Sequence, residues 1–254
     1  EALTLLLLAR RAVNHKIFPG RRAATSAALK IESTLPGELR RRCGELLSAM
    51  DLRYWPTSEL DGATDLLTRL QQAVALKRKV ALHYDSLLEG RAIDTVLCVY
   101  RLVFIRRGWY AIGLSEYHTQ VRTFKIERIG ELRLLEETYT IDEAFSLDDH
   151  FGDAWQMIRG DRKYHVAIRF TEKVATNVEE VAWHRTQQTQ YLPNGALLFE
   201  VDVDGLQEIV WWILGYGKEA EVREPPELRR LVAEHVRALA HQYATGDPPG
   251  PETT

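Results

Sequence analysis

The chain has 254 residues, of which 45% are hydrophobic and 27% are charged, and its formal net charge is −3. These values are ordinary for a globular protein, and they exclude a collagen-like chain, long low-complexity disorder and a disulfide-stapled miniprotein. The two cysteines are too few for an all-thiolate zinc site. Both lie in apolar stretches, so we expect free buried thiols at Cys43 and Cys98 and a reducing compartment, the cytoplasm. The apolar run Leu5–Leu8 is too short to cross a membrane.

The first part of the chain, residues 1–78, has the apolar spacing of helices and predicts a helical linker or dimerisation region. Pro19-Gly20 interrupts this pattern, and Tyr54-Trp55-Pro56 predicts a turn. The predicted helices lie at about residues 3–13, 23–33, 36–50 and 58–77. None of their side chains indicates chemistry.

At residue 79 the apolar period changes to two, which is typical of half-buried strands. Five short strands are predicted, at about residues 79–84, 94–106, 109–114, 119–126 and 129–135. No long helix separates them. The pattern therefore predicts a small, strongly bent β-sheet or barrel over residues 79–140.

A helical connector is predicted over residues 141–162, followed by a third region at residues 163–244. Its elements are predicted in the order strand 166–170, helix 174–183, strands 184–192 and 196–203, helix 206–214, strand 220–222 and helix 226–243. The order βαββαβ with a closing helix predicts a ferredoxin-like domain. We expect the tail, residues 245–254, to be disordered, and the fold class of the whole chain to be α+β.

Motifs of common enzyme sites are absent from the sequence, including a nucleophile elbow, a phosphate-binding glycine loop and a His-Glu-x-x-His pair. The eight histidines are scattered, and His118 and His184 are expected to be satisfied surface or core residues. Asp148 and Asp149 favour a helix-capping role over acid–base catalysis. We therefore expect no enzyme, no cofactor and no metal.

One cationic block stands out, at residues 77–133. It holds eleven basic and six acidic residues, so it carries +5 and the rest of the chain carries −8. Aromatic residues are interleaved with these cations: Tyr84, Tyr100, Trp109, Tyr110, Tyr117 and Phe124. Cations bind phosphates and flat rings stack on bases, which is what a single-stranded nucleic acid requires. The alternative is an aromatic barrel core with a solvated basic rim.

Strand alternation refines this pattern between residues 122 and 128. If the strand stays straight, Arg122, Phe124, Ile126 and Arg128 share one face. Phe124 and Ile126 would then cover the core, with an arginine at each end of the row. Guanidinium groups at the mouth of a small barrel can bind phosphate through two hydrogen bonds.

Three segments of the block, residues 101–104, 108–113 and 122–129, resemble the core of a WYL domain. The family is named for a Trp-Tyr-Leu triplet, and this chain has Trp109-Tyr110-Ala111. Residues 164–243, with Trp183-His184 and Trp211-Trp212, resemble the C-terminal extension called WCX. Residues 1–60 resemble the linker that follows an upstream winged helix-turn-helix.

The resemblance implies a bacterial transcriptional regulator that acts as a homodimer. In that family the winged helix binds promoter double-stranded DNA, and the Sm-like β-barrel of the WYL domain senses an effector, a short single-stranded DNA in characterised members. The ferredoxin-like WCX domain assists dimerisation or signalling. By this resemblance the chain is the sensor and dimerisation part of a regulator, with the N-terminal DNA-binding domain absent from it and no membrane partner.

Carried over residue by residue, the resemblance implies an effector-binding set of Arg101, Trp109, Tyr110, Arg122, Phe124, Lys125 and Arg128, with Tyr84 and Tyr100 as further stacking partners. Trp109 and Phe124 are alternatively core residues. Three other functions stay open at this point. They are a sensor for a small anionic metabolite or nucleotide in the same pocket, a nuclease, and a dimerisation scaffold with a merely solvated basic segment.

Overall fold

The computed structural model describes residues 4–6, 20–49 and 63–244. It divides into two compact units, Glu1–Glu143 and Ala144–Thr254. The predicted first helix apart from residues 4–6, the turn at Tyr54-Trp55-Pro56, the start of the fourth helix at about Ser58 and the tail 245–254 lie outside the described residues.

Residues 20–49 contain two helices, α1 (Arg21–Thr34) and α2 (Gly37–Ser48). The guanidinium of Arg40 donates hydrogen bonds to the carbonyls of Glu32, Ser33 and Leu35. These carbonyls lie at the end of α1, where few helical N–H groups remain to bind them, and only that of Glu32 also accepts from the Leu35 N–H, at 3.3 Å. Arg40 therefore fixes the tight turn between the two helices.

A helix and five strands make up the rest of the first unit. Their bounds are α3 (Thr64–Leu76), β1 (Arg78–Ser86), β2 (Arg91–Ile105), β3 (Gly108–Ser115), β4 (Gln120–Lys125) and β5 (Ile129–Thr138). A 3₁₀ turn, Ile126–Arg128, joins β4 to β5. The five predicted strands are thus confirmed.

The sheet of the first unit is antiparallel and has the order β4-β3-β2-β1-β5. Strands β4 and β5 are consecutive in sequence but lie at opposite edges of this order. A three-residue link reaches only about 10 Å, so the sheet must curl to bring its edges together. Helix α3 buries Leu67, Leu70 and Ala73 against the concave side. This is the predicted bent sheet.

The second unit contains a four-stranded antiparallel sheet with the order β7-β8-β6-β9. Its elements are α4 (Leu147–Phe151), β6 (Lys163–Phe170), α5 (Glu172–Glu179), β7 (Gln188–Tyr191), β8 (Leu197–Asp204), α6 (Ile209–Leu214), β9 (Ala220–Glu224) and α7 (Pro226–Ala244). The strand order is that of the predicted ferredoxin-like domain. None of the helices in the described ranges is both long and apolar enough to cross a membrane.

The connector before β6 differs from the helix predicted for it, because only Leu147–Phe151 is helical. Ser146 begins this helix by accepting a hydrogen bond from the Asp149 N–H at 3.0 Å, so Asp149 takes part in the expected capping. Gly152 ends the helix with a φ of 57°. Beyond it, the carboxylate of Glu208 binds three successive backbone N–H groups that a helix would have used.

Two other predicted elements are shorter than expected. Helix α5 ends at Glu179, where the Trp183 indole N–H donates to the Val178 carbonyl at 2.9 Å. Strand β7 begins only at Gln188, since the Gln187 side chain accepts from the backbone N–H groups of Trp183 and His184. Side chains thus form the hydrogen bonds with backbone groups in places where the periodicity predicted regular structure.

Candidate functional site

Two of the candidate rings, Tyr84 and Phe124, lie in the core of the first unit. Phe124 is only 2% exposed and Tyr84 only 6%. Their rings meet edge to face with centroids 4.9 Å apart. The Tyr84 hydroxyl accepts a hydrogen bond from the Lys125 backbone N–H at 3.2 Å. Both rings therefore contact protein atoms and hold β4 on the barrel.

Trp109 and Tyr100 also pack against protein. Trp109 is partly buried against the core and meets Phe104 edge to face at 5.6 Å. Tyr100 stacks on Tyr139 at 6.2 Å, and burial raises the pKa of both phenols, that of Tyr139 to about 12. The Tyr139 hydroxyl donates to the Val99 carbonyl. These rings form a second layer, on which β2 bends.

Tyr110, Lys125 and Arg128 come together at one end of the barrel. Tyr110 on β3 lies directly opposite Lys125 on β4, and directly opposite residues of antiparallel strands project from the same face. Arg128 follows in the 3₁₀ turn. Two residues outside the predicted set join them, Arg106 in the β2–β3 turn and Glu127. These five residues are called the Tyr110 cluster.

The charges of this cluster act on the Tyr110 phenol. Burial is the main reason that the pKa of Tyr110 is raised; the Glu127 charge raises it further, and Arg128 and Arg106 oppose this. Within the described part of the chain, neither arginine has an ion pair within 4 Å. The cluster thus combines a half-buried ring with two arginines that form no ion pair among the described residues.

Other cations of the block are neutralised. Lys79 pairs with Glu116 at 2.8 Å and with Glu137 at 3.1 Å, and the Glu116 hydrogen bond raises its pKa most. Arg78 pairs with Glu136 at 2.5 Å. The excess charge predicted for residues 77–133 is therefore concentrated where such pairs are missing, and the Tyr110 cluster is one such place.

Arg101 and Arg122 lie farther from the cluster. Arg101 pairs across the sheet with Ile112, two residues along from the Val103–Tyr110 pair, so it projects from the same face as Tyr110. Its guanidinium donates to the Tyr100 carbonyl at 2.8 Å. Arg122 lies opposite Gly113, three residues before Lys125, and projects from the other face. The structure therefore separates Arg122 from Lys125.

The predicted row of alternate residues also differs from the structure. Phe124 and Ile126 are buried in the core as predicted. However, β4 ends at Lys125, and the Ile129 N–H bonds the Ile126 carbonyl to close a 3₁₀ turn. Arg128 is consequently not in line with Arg122, because the side-chain period of two ends with the strand.

A polar network under Arg122 was missed by the sequence reasoning. His118 is held between the Glu89 carboxylate, 3.0 Å from Nε2, and the Ser115 hydroxyl, 2.9 Å from Nδ1. The His118 hydrogen bond is the main cause of a lowered Glu89 pKa, to which Arg122 contributes. Ser115 is fully buried and also bonds Thr95 at 2.9 Å. The network ties the β1–β2 and β3–β4 turns together.

An open groove of about 500 Å³ crosses the outer face of β1, β2 and β5. Its floor is Ala81, and His83 lies between Asp94 and Glu131 on the neighbouring strands. His83 bonds Asp94 at 2.8 Å, and this hydrogen bond raises the His83 pKa. The groove mixes both signs of charge and holds no cation excess.

The second unit has a small polar cleft of about 290 Å³. In it, Asp153 pairs with Lys163 at 2.5 Å and with Arg185 at 2.6 Å, which lowers the Asp153 pKa. Asp204 pairs with Arg159 at 3.2 Å. Each cation of this cleft has an acid, and no three metal-ligating side chains cluster anywhere in the described ranges. The ion pairs fix the strand ends of the sheet.

Two histidines of the second unit should titrate on opposite sides of the ordinary imidazole range. Burial lowers the pKa of His184, whereas the Asp202 hydrogen bond raises that of His165. His184 therefore destabilises the fold as pH falls below about 6.5, and the His165 contribution is lost as pH rises through its raised pKa. We expect NMR titration of the imidazole resonances to give His184 below and His165 above about 6.5. The reverse order would contradict these assignments.

Comparison with protein families gives two matches. The WYL domain model matches residues 65–134, and the WCX domain model matches residues 162–240. Among solved structures, the chain is similar to proteasome accessory factor B/C (PafBC) of Arthrobacter aurescens, at 20% identity and a TM-score of 0.32 over 74% of this chain. It is also similar to a CRISPR Cas-related protein, at 14% identity and a TM-score of 0.48 over 72% of this chain.

The chain spans 28% of the first of these proteins and 51% of the second. The two family matches fall on the two sheets, with α3 and β1–β5 in the first and the ferredoxin-like strands in the second. The chain therefore belongs to the WYL-domain family, with a WYL domain followed by a WCX domain.

Proposed function

We propose that the first unit is an effector sensor that binds a single-stranded nucleic acid, in the form of a short single-stranded DNA, on the Tyr110 cluster. The observation that carries this proposal is the meeting of Arg106, Lys125 and Arg128 around a half-buried ring. Cations hold phosphates, and a phenol ring offers a base a stacking face worth about 1–3 kcal/mol. Arg101, on the same face of the sheet, extends the track for the backbone.

Catalysis is not favoured at the other polar group of this unit, the His118 network. The Ser115–His118–Glu89 chain has the order of a nucleophilic triad, but Ser115 is fully buried and bonded to Thr95. A nucleophile needs access to its substrate. In the proposed role, occupancy of the sensor controls promoter binding by a DNA-binding domain of the same dimeric regulator.

A substitution at Arg106, in the β2–β3 turn, can test binding without impairing the stability of the fold. Its φ of 55° lies in the left-handed region, which costs a residue other than glycine about 1–2 kcal/mol. Arg106→Gly removes the charge and relieves this strain. We therefore expect the variant to unfold at the same or a higher urea concentration while it binds nucleic acid more weakly.

The direct test is fluorescence anisotropy with labelled single-stranded DNA at about 50 mM and about 200 mM salt. Three phosphate contacts predict a slope of about −2 in log affinity against log salt, or about 20-fold weaker binding at the higher salt. In an Arg106→Gly, Arg128→Ala double variant the slope should fall to about −0.7. Arg133→Ala, which removes one exposed cation of β5 outside the cluster, is the control for loss of a positive charge elsewhere.

Each outcome bears on the proposal. Binding by the unmodified chain that the double variant loses and Arg133→Ala keeps would support it. A shallow salt slope with tight binding of a mononucleotide would favour a small anionic metabolite or nucleotide in the same pocket. If no oligonucleotide bound at low salt, the nucleic-acid sensor would be ruled out.

A further inference from the structure

The carboxylate of Glu127 is the one acid in the Tyr110 cluster, and it lacks partners. Both of its oxygens are buried, and neither accepts a hydrogen bond from any described residue. A buried acceptor without a donor is costly, so such groups usually have a role. An acid also repels phosphate. Its place among three cations therefore calls for a ligand group that is not phosphate.

The Glu127 carboxylate lies close to Gly108. A Cβ at residue 108 would lie 3.2 Å from Glu127 Oε1 and 2.9 Å from Lys125 Cε, so the ends of both side chains are near this glycine. The carboxylate thus lies beside the β3 backbone at Gly108, with the Lys125 stem against the same residue. That stem is a flexible aliphatic chain. It is the group that can move to open the carboxylate to a ligand.

Resting on the proposed function, we infer that Glu127 reads one base of the bound strand and selects guanine. Guanine presents two donors, N1–H and N2–H₂, side by side on its Watson–Crick edge, and a carboxylate can accept both. Adenine and cytosine place an acceptor beside their donor, and thymine has only one donor between two acceptors. In each of these three bases, an acceptor atom would lie opposite a Glu127 oxygen, which is also an acceptor, so no hydrogen bond could form there.

The neighbouring residues fit this assignment. Tyr110 supplies a ring on which the selected base can stack, and its phenol is within range of the Glu127 charge. Arg106 and Arg128 belong to the same cluster and would bind the phosphates on either side of the selected base. The cations thus fix the strand without regard to sequence, and the single acid supplies base preference.

The test uses a short oligothymidylate in which one central base is dG, dA, dC or dT, with affinities measured by fluorescence anisotropy. The unmodified chain should bind the dG oligomer between about 5-fold and about 150-fold more tightly than the others. In Glu127→Gln, one acceptor becomes a donor. The preference should then move from dG to dA and dC, which pair a donor with an acceptor.

The outcomes separate this inference from the proposed function. Equal affinity of the unmodified chain for all four oligomers would overturn the guanine assignment and leave the sensor proposal standing. Absence of binding to every oligomer at low salt would overturn both. A Glu127→Gln variant that keeps the dG preference, with an unchanged urea midpoint, would show that another residue reads the base.

Discussion

Gly113→Ala is expected to lower the free energy of unfolding of the first unit by about 3 kcal/mol or more. A Cβ at this position would lie 2.0 Å from the Cys98 carbonyl oxygen and 3.0 Å from the Val99 Cα. Both are backbone atoms, so no side-chain rotation can relieve the overlap. The overlap falls where β2 bends, since the pairing register shifts between Val99 and Arg101. Urea denaturation followed by circular dichroism measures the loss.

The matched control for this variant is Gly130→Ala on β5 of the same sheet. There the added methyl group would meet the His83 ring at 3.6 Å and the His83 carbonyl oxygen at 4.0 Å, both ordinary contact distances. The control should change stability by no more than about 0.5 kcal/mol. If Gly113→Ala unfolded at the same urea concentration as this control, the close approach of the β2 backbone to Gly113 would be wrong.

Glu208→Ala is expected to destabilise the second unit by about 2–4 kcal/mol, because one carboxylate oxygen binds three backbone N–H groups. These donors belong to Gln156, Met157 and Ile158, at 2.9, 2.9 and 3.0 Å. Removing the acceptor leaves all three without a protein partner. Four of the six tryptophans lie in this unit, so tryptophan fluorescence in urea reports its unfolding.

Two further variants define the cause of that loss. Glu208→Gln keeps an oxygen acceptor but removes the charge, so we expect a loss of about 1 kcal/mol. Glu234→Ala, on the exposed side of α7, should change stability by less than about 0.5 kcal/mol. Equal effects of all three substitutions would mean that Glu208 does not fix the connector.

Periodicity in the sequence predicted both sheets and the sequence of elements in the second, because each strand buries one face against a core. It could not predict the connector, where Glu208 acts on residues about fifty positions earlier. The same applies to His118, which is 29 residues from its partner Glu89. Contacts of this kind are set by the curl of the sheet, and local patterns carry no signal for them.

The candidate site also has one part that the sequence predicted and another that it did not. Tyr110, Lys125 and Arg128 belong to the set that the resemblance implied and lie together, since Tyr110 pairs with Lys125 across the strands and Arg128 follows in the next turn. Glu127 was counted among the acids of the block but was not in the predicted set. The burial of its oxygens depends on the turn that ends β4 and on the closeness of the carboxylate to Gly108, which the sequence alone does not give. The signal in the sequence was a glycine before the Trp109-Tyr110 pair.

The sheet order of the first unit also bears on how the chain folds. Strands β1 to β4 pair with neighbours along the chain, but β5 must return to β1, for example Leu132 to Leu82. Such distant pairing loses loop-closure entropy before its contacts can form, so β5 should dock late in folding. Until then the free edge of β1 can pair with another chain. Cleavage in the turn Ile126–Arg128 would separate β5 from β4, so we expect it to prolong the exposure of the β1 edge.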